Sequence, residues 1–476
     1  MTEPPAAAAE GAMSAAYRSL TIGLLAIITL TAFEAMAVAT AMPVVAQELH
    51  GQASYGLAFS MFLTASLLAT VIAGIWCDVR GPTPSLGAGL ALMVAGLVLS
   101  GVADTFWLFT TGRAIAGLGG GFLIVAVYVI IGQAYPQQVQ PVIFGWLAAA
   151  WVVPSLIGPY VAGLLAQYLS WRLVFYGVAP IVLLAVLVIW PSVRHLGAPE
   201  EPTMDRRLGK QQAVRGLVLA GGVFLAQWAL YQAVQTPEAG TAAALYAVAG
   251  VGTVLALLAL PGLMPAGTLR LKRGLPSVVA TRGFINLAFF GAEAFIPLML
   301  VASHGISPAT AGLALTSGAV GWSIGSFVQA RVRTDRHWLL VIGSGVLAAA
   351  MGLMSLLTNP EAPFWLLILV WGIAGFSMGM ALSTTSVMIL KMSAPAERGR
   401  NSASLQLADQ LGGVVGTAGA GSLFALLRNP DNPADTGVYV VIWLALAVFA
   451  AAAMYTGWRS AEQDPLAANR KEFRKV

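Results

Sequence analysis

The sequence is poor in charge. Only 9% of its 476 residues are Asp, Glu, Lys or Arg, against about 25% in a typical soluble chain. That deficit excludes a water-soluble body: most of the chain must face lipid or other apolar helices. Cysteine is nearly absent. The single residue, Cys77, excludes a disulfide framework and any cysteine-based metal site. The four histidines, His50, His195, His304 and His337, are scattered and have no metal-ligand spacing. No Ser/His, Cys/His or His/Asp cluster is present, and no phosphate-cradling loop, which argues against an enzyme. A sensor would need a soluble domain, and the longest loop, near 191–212, is short and basic. The net charge of +5 lies in short loops and is not a nucleic-acid signal.

What remains is apolar: 58% of the residues are hydrophobic and the mean hydropathy is +0.80. Windows long enough to cross ~30 Å of hydrocarbon recur along the chain. In lipid, backbone groups must be satisfied within their own segment, so these windows are helices. About fourteen are expected, which makes this an all-α polytopic membrane protein. The apolar run at the start is too long for a signal peptide and lacks a small-residue cleavage pattern.

Lys and Arg set the expected orientation. With the N-terminus placed in the cytoplasm, inward segments hold Arg18, Arg80, the group Arg194 to Arg215, Arg270 to Arg273, Arg331 to Arg336, Lys391 to Arg400 and the basic tail. Outward segments hold only Arg172 and Arg428, and Arg113 and Arg282 fall inside spans. The bias follows the positive-inside rule. It places the protein in the cell inner (plasma) membrane with both termini cytoplasmic.

The chain divides into a disordered cytoplasmic N-terminus (1–18), a six-helix bundle (19–190), a basic cytoplasmic loop (191–212), an inserted helix pair (213–263), a second six-helix bundle (264–458) and a basic cytoplasmic tail (459–476). The two bundles read as repeats. Glu34 to Pro43 is echoed by Glu293 to Pro297, and Gly74 to Arg80 by Gly325 to Arg331. Ala114 to Gly121 is echoed by Gly372 to Gly379, and Gly158 with Gly163 by Gly416 with Gly421. Repeated halves with a site near the midplane are the plan of secondary transporters.

Two acids stand out. Glu34 and Glu293 lie mid-span, where an acid costs roughly 2.5 to 3.5 kcal/mol. Burial disfavours their charged form, so each is expected to take up and release a proton or hold a cation. Asp409, with Gln406 and Gln410 at helical spacing, and Arg113 extend the list of intramembrane polar groups. Gly158, Pro159 and Gly163 carry no chemistry and would let helices pack closely around a kink.

On these residues the sequence resembles the major facilitator superfamily, and more narrowly its fourteen-helix drug:proton antiporter branch. The family's first-helix pattern appears as Phe33-Glu34 to Ala41-Met42-Pro43, with Glu for Asp and Met for Thr. The loop motif after helix two appears as Gly74, Asp78, Arg80 and Gly81, without its flanking basic cluster. The helix-four pattern appears as Arg113 to Gly119, lacking its Gln. The helix-five antiporter motif is Gly158-Pro159-Tyr160-Val161-Ala162-Gly163, and helix six opens with Trp171-Arg172-Leu173-Val174-Phe175.

The resemblance implies two six-helix bundles plus two inserted helices, working as a monomer without cofactors, with the proton as coupling ion. It implies proton coupling through Glu34, Glu293, Asp409 and Arg113. Amphipathic substrate would bind at Glu34, Glu293, Gln406, Gln410, Phe33, Trp151 and Phe290, and gating would fall to Asp78, Arg80, Gly74 and Gly81. The function expected is proton-coupled efflux of amphipathic or cationic small molecules; the alternative is proton-coupled export of a lipid, glycolipid or other metabolite.

Overall fold

The computed structural model describes residues 12–15, 17–136, 138–197, 206–394, 397–429, 432 and 435–461. The expectations for residues 1–11, for 198–205 of the basic loop and for 462–476 of the tail lie outside them. Among the described residues, fourteen helices are long and apolar enough to cross a membrane. Every long element is helical: α1 (Arg18–Glu48), α2 (Tyr55–Arg80), α3 (Pro82–Val102), α4 (Phe106–Ala134), α5 (Gln140–Ala149), α6 (Val152–Tyr168), α7 (Arg172–Val193), α8 (Arg206–Gln235), α9 (Ala239–Ala259), α10 (Leu275–Ala302), α11 (Pro308–Arg331), α12 (Arg336–Leu356), α13 (Phe364–Met392), α14 (Arg398–Leu427) and α15 (Gly437–Arg459).

Two boundaries differ from the sequence expectation, each with a local cause. The fifth span, Val142–Tyr168, is one apolar stretch interrupted at Ala150 and Trp151 into α5 and α6. Pro154 lacks the N–H that the Ala150 carbonyl would need, and it sits in the first turn of α6, which starts at Val152. The inward loop expected after span two is a single residue. Helix α2 runs through Arg80, Gly81 takes φ 80°, and Pro82 opens α3 as its first residue. Positive φ suits Gly, and fixed φ with no N–H suits Pro at that position.

The chain forms two compact units, one from residues up to 51 with 61–217 and one from 52–60 with 218 onward. In the first unit glycines of α4 set the packing. A side chain on Gly117 would meet the Phe62 carbonyl oxygen at 2.2 Å, and one on Gly121 the Ser66 carbonyl oxygen at 2.3 Å. On the other side, a Cβ on Gly119 would meet the Met93 amide nitrogen at 2.5 Å. So α4 is clamped between α2 and α3 at backbone contact.

The second unit repeats this fit. A side chain on Gly375 would meet the Gly318 carbonyl oxygen at 1.9 Å, and one on Gly379 the Trp322 carbonyl oxygen at 2.0 Å. Gly375 and Gly379 stand 258 residues after Gly117 and Gly121, and Gly318 and Trp322 stand 256 after Phe62 and Ser66. The structural register between α2 and α11 therefore differs from the sequence echo of Gly74 with Gly325. Residue 325 corresponds to Ala69 (69 plus 256), and Gly74 approaches nothing within 4 Å. Helix α10 is the most enclosed span, with 78% of its most apolar stretch buried. In the inserted pair, α8 and α9 also meet through glycine: a Cβ on Gly222 would lie 2.6 Å from the Gly252 carbonyl oxygen.

Candidate functional site

In the first unit α1 and α4 bring Glu34 and Arg113 together. Glu34 is 1% exposed and Arg113 3%, and Nη1 of Arg113 donates to Oε1 of Glu34. The guanidinium lies over the Phe62 ring of α2, 4.5 Å from its centroid. The pair is incompletely satisfied: Oε2 of Glu34 and Nε of Arg113 are buried without a hydrogen-bond partner. Glu34 also lines a small pocket walled by Ile27, Leu90, Met93 and Val182. The Thr31 hydroxyl on its rim donates to the Ile27 carbonyl at 2.8 Å and keeps its lone pairs free. Chemically, one carboxylate oxygen is anchored to a cation and the other keeps its lone pairs unengaged. A buried pair of this kind is costly to break by removing one partner, because the other charge stays uncompensated.

Phe33, next to Glu34, is half-buried, and its ring lies 3.4 Å from where a Gly158 side chain would begin. Gly158, Pro159 and Gly163 are all buried in α6. Trp151 precedes α6 and is 38% exposed. Asp78 and Arg80 are exposed on the last turn of α2, and buried Gly81 makes the turn into α3.

In the second unit the acids fare differently. Asp409 on α14 is gripped by Arg282 of α10 through two hydrogen bonds, Nε to Oδ1 at 2.6 Å and Nη2 to Oδ2 at 2.7 Å. The remaining nitrogen, Nη1, donates to the Leu382 carbonyl at 2.8 Å and to the Thr385 and Ser386 hydroxyls, both at 3.1 Å. Arg282, known from sequence only as an arginine inside a span, thus ties α10, α13 and α14. Gln406 is exposed and Gln410 half-buried on α14.

Glu293 has no hydrogen-bond or ion-pair partner among the described residues. Its side chain is half-buried. From Ile285 to Leu300 every residue of α10 is buried except Phe290 and Glu293, one turn apart. Phe290 touches the half-buried Trp322 of α11, with ring centroids 6.3 Å apart.

Sequence reasoning missed Glu48 at the end of α1. It accepts from Trp171 Nε1 at 2.8 Å and from Arg172 Nη1 at 2.5 Å. Arg172 also donates to the Ala103 carbonyl and lies over the Trp171 ring. These contacts make Arg172 an architectural tie. No signal distinguished Glu48 from an ordinary helix-end acid. Phe62, Trp322 and Trp371 were missed for a similar reason: an aromatic in an apolar span carries no mark of its neighbours.

The sequence profile of the Major Facilitator Superfamily matches residues 24–292 and 278–475. An uncharacterised MFS-type transporter of Mycobacterium tuberculosis is 27% identical over 395 residues, covering 81% of this chain and 56% of that protein. The chain thus spans little more than half the length of that relative. The multidrug efflux pump SdrM of Staphylococcus aureus is 23% identical, covering 87% of this chain and 91% of its own. Multidrug resistance protein 3 of Bacillus subtilis is 23% identical, covering 90% and 83%. Among solved structures, a bacterial homologue of the human lysosomal transporter Spinster superposes with a TM-score of 0.65 at 17% identity, covering 93% of this chain and 96% of that one. At that identity the likeness concerns the fold.

Proposed function

The chain belongs to the major facilitator superfamily, and from that premise we propose that it exports amphipathic, cationic small molecules in exchange for protons by alternating access. It is a multi-pass membrane transporter with multidrug efflux pumps among its relatives. The observation that carries the coupling is the half-satisfied pair: Glu34 holds Arg113 with one oxygen and leaves the other unpartnered. A proton added at Oε2 removes the charge that Arg113 leans on, without requiring Glu34 to leave its place. Proton occupancy is thereby linked to the α1–α4 contact and, through Phe62, to α2. In the proposed cycle a proton and a cationic substrate are alternative ways to satisfy the acids of the two units. The Lys and Arg distribution supports the plasma membrane with both termini cytoplasmic, and the two repeated units support action as a monomer.

The test is transport in proteoliposomes with an imposed pH gradient. Wild type moves a lipophilic cation against its gradient when protons run the other way. Glu34→Gln leaves Arg113 uncompensated and loses stability, so it is paired with Glu34→Gln/Arg113→Met, which removes both charges, inserts and folds, and loses the gradient-driven component. Gradient-driven transport undiminished in Glu34→Gln would sink the coupling.

A further inference from the structure

A second pocket lies at the end of the second unit where α10 and α14 finish and α15 begins, away from either intramembrane acid. All its walls belong to that unit. Its residues sort by depth. Leu298 lies one turn short of the end of α10, Phe424 one turn before Arg428 on α14, and Val438 in the first turn of α15; all three are buried. Around the mouth stand Gln52, Arg428, Asn429, Asn432 and Asp435, each exposed or half-buried. An occupant that matches both halves is an amphiphile, polar at the mouth and apolar toward the helices.

Local structure sets each half. Helix α14 stops at Arg428, whose amide donates to the Phe424 carbonyl at 2.9 Å, so the guanidinium leaves the chain one turn above the ring. The chain then turns by threes. The Asn432 amide donates to the Asn429 carbonyl at 3.3 Å and the Asp435 amide to the Asn432 carbonyl at 3.0 Å, which spaces three polar side chains along the rim. Oδ1 of Asp435 accepts from the Gly437 amide at 2.9 Å, so the carboxylate is held at the start of α15. The floor is braced by aromatic packing. The Phe424 ring lies 5.8 Å from Tyr439 and 5.5 Å from Phe295, and Phe295 lies 5.2 Å from Tyr55.

Charge selects the polar end. A guanidinium takes a phosphate oxyanion through paired N–H donors. A carboxylate takes an ammonium that still has N–H groups to give, and primary amides can serve either partner. One cation and one anion on a single rim fit a head that carries both signs. The buried apolar residues beneath fit the first carbons of acyl chains. We propose that this pocket seats a phosphoethanolamine head drawn from the surrounding bilayer, with its phosphate on Arg428, its primary ammonium on Asp435 and its chains leaving past Leu298 and Phe424. A lipid held there braces the ends of α10, α14 and α15 together. The site is separate from the transported cargo and does not rest on the export reading.

The experiment is lipid binding to the purified full-length protein in detergent, read as competition with a fluorescent short-chain phosphatidylethanolamine and as a rise in melting temperature. The competitors are dioctanoyl phosphatidylethanolamine, phosphatidylcholine and phosphatidylglycerol, and glycerophosphoethanolamine, which is the same head without chains. Wild type binds the ethanolamine lipid about tenfold more tightly than the choline lipid, whose ammonium has no N–H, and than the glycerol lipid, which has no ammonium. The chainless head competes about a hundredfold more weakly than the lipid. Asp435→Asn brings the ethanolamine and glycerol lipids within about threefold of each other. Arg428→Gln weakens both about tenfold, and Arg428→Lys recovers part of that loss. The proposal is overturned if wild type does not distinguish the three lipids, if Asp435→Asn keeps the full preference, or if the chainless head competes as well as the lipid, which would make a soluble compound the ligand. The comparison of lipids on wild type needs no variant, so a variant that fails to fold leaves the test intact. Transport that does not depend on Glu34 would leave these binding results standing.

Discussion

The Tyr55 hydroxyl donates a 3.0 Å hydrogen bond to the Ala294 carbonyl. Tyr55 is fully buried at the start of α2, and its ring lies 5.2 Å from that of Phe295. Its target is the carbonyl next to Glu293. Tyr55→Phe keeps the ring packing and deletes only this bond, so it costs about 1 kcal/mol. The expected readout is a lowered melting temperature in detergent with unchanged expression, and a Tyr55→Phe variant as stable as wild type would show the bond to be idle.

Glu34 and Arg113 form a pair that is worse broken than absent. Arg113→Met strands a buried carboxylate and is expected to destabilise by about 3 to 5 kcal/mol. Glu34→Gln with Arg113→Met removes both charges and is expected to recover most of that loss while remaining uncoupled. A double-mutant cycle on thermal stability checks this. Additive losses would mean the two side chains do not depend on each other.

Asp409 was singled out from sequence as a proton-coupling acid. Its two oxygens are both engaged by Arg282. Asp409→Asn therefore acts first on stability, on the order of 3 kcal/mol, because Arg282 keeps its charge and loses its counter-ion. The same holds for Arg282→Gln. Surface expression and melting temperature should fall before any change in proton dependence is measurable. An Asp409→Asn protein of wild-type stability with altered coupling would show that the residue acts on the proton rather than on the grip.

The glycine seams predict sharp positional intolerance. Gly121→Leu and Gly375→Leu both drive a side chain into a backbone carbonyl, at 2.3 and 1.9 Å from the first carbon alone. Neither variant is expected to accumulate folded protein. Gly132→Ala and Gly352→Ala, with nothing within 4 Å, should fold normally. Size-exclusion profiles of fluorescent fusions separate the two classes.

Much of the architecture was legible because lipid leaves few options. Apolar length and the ban on unsatisfied backbone give helices, and the fourteen spans appear at the expected places. The α5–α6 break was written in Pro154 but hidden by continuous hydropathy across it. Glu34 and Arg113 were each legible as an intramembrane charge that needs a partner, but that they partner each other is seen only in the structure. The Arg282–Asp409 grip was within reach by the same argument, but 127 residues separate its members and sequence gives no register between α10 and α14. Glu293 was found as an acid, yet its lack of a cation partner was not readable. That lack depends on which residues α11, α13 and α14 set against α10, and sequence does not give that.

The exchange of Phe62 and Arg113 for Gly318 and Trp371 has a historical consequence. If both units descend from one duplicated ancestor, these two positions did not drift independently. A phenylalanine facing Trp371 would collide with the indole, and an arginine above Gly318 would have no ring to rest on. Neither position can therefore change alone: a ring at 318 has no room beside the indole, and an arginine at 371, which stands 258 residues after Arg113, needs a ring beneath it.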